Sequence, residues 1–145
     1  MSKIKTFVNA NPKILELNHD WESDLKITFK KEDDNGFDIT VEDDGSNISI
    51  ETDNGYHDHI EIDRFESEEE ALLQIFGLVR DLLSNNMRIK VIMKNEKPTK
   101  WILEYFEDQK WEEESVMGLF TLNIFGKKTE KFYSNNILPA RTFND

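Results

Sequence analysis

From residue 25 to residue 62 apolar and polar side chains alternate, and three turn dipeptides, Asn35-Gly36, Asp44-Gly45 and Asn54-Gly55, interrupt the alternation every nine to ten residues. A period of two is that of a strand with one wet face. Asn or Asp followed by Gly supplies the positive φ angles of a tight hairpin. The pattern predicts an antiparallel meander with strands near 24–32, 37–42, 47–52 and 57–64, and a further candidate at 13–17. Leu25, Ile27, Phe29, Phe37, Ile39, Val41, Ile48, Ile50, Ile60 and Ile62 fall on one side of it. Asp38, Thr40, Glu42, Ser49, Glu51, His57, His59, Glu61 and Asp63 fall on the other, which makes that face strongly anionic.

The period changes at Ser67-Glu68-Glu69-Glu70, which has the form of a capping box and opens a helix. Leu72, Ile75, Phe76, Val79, Leu82 and Leu83 follow at helical spacing, with Ala71, Leu73 and Leu78 widening the stripe. Ser84-Asn85-Asn86 ends it, with Asn as the residue suited to a left-handed cap. Alternation returns at 87–94, a turn follows at 95–98, and 100–107 is apolar on both parities, as for a strand buried on both faces or crossing an interface. Further strands are predicted at 119–125 and 130–133, whereas 111–116 fits a helical turn or an extended linker equally well. The tail 134–145 reads as irregular. The fold class expected is α+β: an antiparallel β meander, one central amphipathic helix at about 67–85, then a second antiparallel meander, in a single domain over 1–145.

At 145 residues, 37% of them hydrophobic and 11% aromatic, the chain can bury a core despite its charge. The absence of cysteine excludes disulfides, thiolate metal sites and cysteine nucleophiles. No apolar run has the length of a signal h-region or of a membrane span of about 20 residues, so a cytoplasmic protein is expected. The net charge is −12 and uneven: residues 1–66 hold 17 acidic against 7 basic side chains, and residues 67–145 hold 13 against 11. Such a field disfavours nucleic acid and anionic membranes and favours a basic partner.

Candidate chemistry is sparse. His57 and His59, two apart on a strand, project to one face and could share a metal with Glu51 or Glu61, but zinc generally takes three or four ligands. The segment 31–42 carries Asp33, Asn35, Gly36 and Glu42 at calcium-loop offsets, yet Lys31 replaces the first carboxylate and strands replace the flanking helices, so it reads as a hairpin tip. There is no phosphate loop, nucleophile elbow or zincin motif, and no cofactor is expected. Aromatics and lysines mix at Lys97, Lys100, Trp101, Tyr105, Lys127, Lys128, Lys131, Phe132 and Tyr133, which fits a lysine-protected aromatic core better than a base-stacking surface. The expectation is a non-enzymatic acidic interaction module, most specifically an immunity or inhibitor protein that covers a basic toxin or nuclease with Asp38, Glu42, Glu51, His59, Glu61 and Asp63. The alternatives are a metal-dependent hydrolase at His57 and His59, or a ligand-binding homodimer built on the Trp101 strand.

Overall fold

The computed structural model describes residues 2–118 and 126–139. It is an α+β fold with two antiparallel sheets, one of five strands and one of four, and a single long helix, α3, over Glu68–Leu83. The chain divides into two compact units: one holds the described residues up to Glu32 together with Phe37–Val79, and the other holds Asp33–Gly36 and the described residues from Arg80 onward. The boundary falls inside α3, between Val79 and Arg80.

The first unit begins with two short helices, α1 (Lys3–Asn9) and α2 (Pro12–Leu15), neither foreseen in the sequence. Ser2 caps α1 by accepting from the Lys5 N–H at 3.1 Å, and Ile4 and Val8, one turn apart, are its buried positions. The strand expected at 13–17 is absent: residues 13–15 are helical, with Pro12 at a first-turn position where a helix tolerates a missing N–H, and 16–17 form the turn that follows. Five strands follow in sequential order: β1 (His19–Ser23), β2 (Lys26–Phe29), β3 (Ile39–Asp43), β4 (Asn47–Thr52) and β5 (His57–Glu61). Ile27, Phe29, Ile39, Val41, Ile48 and Ile50 are buried as the alternation requires, and α3 adds Ala71, Leu72, Ile75, Phe76 and Val79 to the buried set. Phe76 stacks on Phe7 with ring centroids 5.1 Å apart and meets Phe29 edge-on.

Three expected inward residues depart from the pattern. Leu25 lies in the turn between β1 and β2 and is exposed, and Leu73 of α3 is exposed as well. Ile62 has left the sheet, because β5 stops at Glu61 and a 3-10 turn takes Ile62–Arg64. Gly45 and Gly55 take φ of +102° and +104° in their hairpins, as expected. Asn35-Gly36 makes no tight hairpin: β2 and β3 are joined by the loop 30–38, where the Asp33 carboxylate accepts from the N–H groups of Asn35 and Gly36 at 2.9 and 3.0 Å.

At the start of α3, the Glu70 N–H donates to Ser67 Oγ at 3.1 Å, which is one half of the capping box. The other half is displaced by one residue, since the Glu70 carboxylate accepts from the Glu66 N–H at 3.0 Å.

In the second unit no left-handed Asn ends α3. Ser84 Oγ donates to the Asp81 carbonyl, Asn135 Nδ2 donates to the Leu82 carbonyl at 3.1 Å, and the N–H groups of Ile137 and Leu138 donate to the Leu83 carbonyl. The described part of the tail therefore satisfies carbonyls that a helix end leaves open. The sheet runs in the order β8-β7-β6-β9, from β6 (Met87–Lys94), β7 (Lys97–Glu107), β8 (Lys110–Gly118) and β9 (Lys128–Tyr133). The undecided segment 111–116 is strand, and the strand expected at 119–125 lies outside the described residues. Trp101, Ile102, Leu103 and Glu104 are all buried, so the apolar character of β7 on both parities accompanies burial on both faces. No helix among the described residues is long and apolar enough to cross a membrane.

Candidate anionic docking face

The outward face of the five-stranded sheet follows from register. Asp20 lies beside Thr28, Thr28 beside Thr40, Thr40 beside Glu51 and Glu51 beside His57. In the adjacent row Lys26 lies beside Glu42, Glu42 beside Ser49 and Ser49 beside His59, and Glu61 pairs with Asn47 at the margin. The structure thus brings together Glu42, Glu51, His57, His59 and Glu61 on three neighbouring strands. The outermost, β5, is an edge whose His57, Asp58, His59 and Glu61 are all exposed.

Two of the expected residues are not part of this row system. Asp38 precedes β3, and its carboxylate accepts from the Lys31 N–H at 2.9 Å and from Lys30 Nζ at 3.4 Å, so it fastens the 30–38 loop. Asp63 stands in the 3-10 turn beyond the end of β5. The strand expected to run to 64 stops at Glu61.

The face is less uniformly anionic than its sequence implies. Lys26 reaches Glu22 at 3.2 Å and Glu42 at 3.8 Å, and Thr28 Oγ1 donates to Glu22. The hydrogen bond that Lys26 donates to Glu22, then the charges of Glu22, Glu42 and Glu51, raise the Lys26 pKa above its ordinary value, which keeps that ammonium charged. Arg64 pairs with Glu61. No ion pair among the described residues reaches Glu51, and the five carboxylates of Asp20, Glu22, Glu42, Glu51 and Glu61 outnumber the three cations that pair with them, Lys26, Lys30 and Arg64. Because these side chains stand on hydrogen-bonded strands, the negative field has a fixed shape.

His57 and His59 lie with ring centroids 5.6 Å apart. Among the described residues no group of three or more His, Asp or Glu side chains is arranged to hold a metal ion. In the second unit Arg88 is held between two rings, 4.1 Å from Trp111 and 4.3 Å from Phe132, while its Nε donates to Glu104 at 2.7 Å. Lys90 reaches the same carboxylate at 3.2 Å. The alternation of β6 indicated that Arg88 and Lys90 share a face, but their common partner two strands' length away in sequence carried no local signal. Trp101 is buried and unavailable for base stacking. No protein-family model, curated protein or solved structure matches the chain.

Proposed function

We propose that the chain is an acidic docking protein of the immunity or inhibitor kind, which covers a basic protein partner with the β3–β5 face. The observation that supports this reading most directly is the convergence of Glu42, Glu51 and Glu61 on adjacent strands of a rigid sheet that ends in an exposed edge. A fixed anionic surface of this kind speeds encounter with a cationic partner and fixes its orientation. His59 and His57 border the carboxylates and contribute polar contacts, whereas Asp38 and Asp63 stand outside the rows. Such a task requires no catalytic group, and no cofactor is part of the proposal.

The test compares the natural chain with a variant carrying Glu42→Lys, Glu51→Lys and Glu61→Lys, each immobilised and exposed to a lysate of the source cell at low and high salt. A basic protein retained by the natural chain at low salt, released by about 0.5 M salt and not retained by the variant supports the reading, since surface charge pairs are screened over about 3–10 Å in this range. Retention of the same proteins by both chains overturns it. Melting curves of the two chains establish that the variant is folded.

A further inference from the structure

β5 ends the first sheet: β4 lies on one side of it, and no strand among the described residues lies on the other. Its hairpin closes with the Thr52 N–H donating to the Tyr56 carbonyl at 2.9 Å. Bonded and unbonded pairs alternate along an antiparallel ladder, so counting from that bond Ile50 with Asp58 and Ile48 with Ile60 exchange hydrogen bonds. The N–H and C=O groups of His57, His59 and Glu61 therefore point away from β4, a row of donors and acceptors of the kind to which an extended chain pairs.

The middle of that row is occupied by the chain's own Asp58, whose Oδ1 accepts from the His59 N–H at 2.8 Å. Asp58 breaks the pattern of the sheet. It shares the core-facing parity with Ile60 and stands beside Ile50, which is fully buried, yet it is exposed. A charge on the core-facing side of an edge strand opposes indiscriminate pairing. A neutral strand laid along β5 takes the His59 N–H from this carboxylate and leaves it desolvated without a partner, whereas a strand with Lys or Arg opposite Asp58 gives it a cross-strand ion pair. On the other parity lie Glu51, which no ion pair among the described residues reaches, and Glu61, which Arg64 already pairs. Both sides of an added strand therefore favour cations.

We propose that β5 is the strand through which a basic partner docks: an extended segment of that partner, bearing lysine or arginine opposite Asp58, adds to the five-stranded sheet at this edge. The inference rests on the docking reading above and gives it a mode of contact. A second copy of this chain is the wrong occupant, since residues 1–66 hold 17 acidic against 7 basic side chains and edge-to-edge pairing brings two such surfaces together.

The probe is a fluorescent peptide of about eight residues alternating Lys and Val, within the length of an ordinary strand. Its counterpart is the same peptide N-methylated at every amide, which keeps the charge and removes the donors. The natural full chain is expected to bind the first saturably at low salt and the second at least tenfold more weakly, the scale of several lost backbone hydrogen bonds. Binding of the first is also expected to slow hydrogen exchange at the amides of His57, His59 and Glu61. His59→Pro removes the central outward N–H, leaves every carboxylate in place and interrupts no ladder bond to β4, and it is expected to weaken binding at least tenfold. Asp58→Asn keeps an acceptor and removes the charge, so the preference for the Lys–Val peptide over a Thr–Val peptide is expected to narrow severalfold. Equal affinity for the plain and methylated peptides, no binding of the plain one, unchanged affinity in His59→Pro or an unchanged preference in Asp58→Asn would overturn the proposal. If His59→Pro does not fold, the methylated peptide and the exchange map decide. A basic lysate protein that is lost on the Glu42→Lys, Glu51→Lys, Glu61→Lys variant but held equally by His59→Pro upholds the docking reading and sinks strand addition.

Discussion

At 4% exposure Glu104 has given up nearly all contact with water, and among the described residues Arg88 and Lys90 replace it. Removing one partner of such a cluster leaves uncompensated charge, which typically costs about 3–5 kcal/mol. Arg88 and Lys90 retain 23% and 18% side-chain exposure, so Glu104→Ala is expected to lie near the lower end, about 3 kcal/mol, in a denaturant titration. A loss below about 1 kcal/mol would show that the two cations find water readily. Asp44 offers a pH-dependent counterpart. Its carboxylate accepts from the N–H groups of Asn47 and Ser46 in the β3–β4 turn, and those backbone hydrogen bonds hold its pKa below the ordinary 3.8. A lowered folded-state pKa stabilises the fold fully above the unfolded value, and this contribution is lost as pH falls through the folded value. Asp44→Asn keeps an acceptor but no longer titrates. The natural chain should therefore exceed the variant in melting temperature at pH 7 and lose that margin below pH 3.8, the ordinary value.

Among the elements, the two hairpins of the second sheet turn on Asn95-Glu96 and Asp108-Gln109, whose φ values are 52°, 67°, 50° and 64°. Both central residues of each turn are left-handed, the arrangement that matches strand twist and that favours Gly. Gln109→Gly is expected to raise stability by about 0.5–1 kcal/mol by relieving the left-handed cost of a side chain, as read from the denaturation midpoint. The same turns explain what the sequence concealed. Asp44-Gly45 and Asn54-Gly55 advertise their hairpins, and β4 spans 47–52, the residues that alternation assigned to it. Asp108-Gln109 has no glycine, so nothing local marked β7 and β8 as a hairpin, and 111–116 stayed ambiguous. β1 was hidden for another reason: as a half-exposed edge strand, His19–Ser23 lacks the apolar alternation on which recognition depends. α1 is two turns long and buries only Ile4 and Val8, too few positions to establish a helical period. That Glu42, Glu51, His59 and Glu61 share one face of the sheet was legible because the strand period places them. Asp38 and Asp63 stand outside those rows, since no alternating pattern reveals where a strand stops or which carboxylate closes a loop.

For the molecule as a whole, a net charge of −12 sets self-repulsion against the ion pairs scattered over the first sheet. Most of those pairs are exposed and contribute little, so repulsion dominates. Raising sodium chloride from about 20 to 300 mM, which shortens the screening length to well under about 10 Å, is expected to raise the melting temperature by about 3 °C. A fall would mean that the ion pairs outweigh the repulsion. The strand order has a kinetic consequence of its own. In the first sheet each strand pairs with the one synthesised immediately before it, so that sheet can assemble during translation through short loop closures. The second sheet cannot, because the flank of β6 opposite β7 is filled by β9, which is made after β6, β7 and β8. Until then the nascent chain presents an open β6 edge with its buried apolar residues, and that interval is when an adventitious strand from another chain competes for the same pairing.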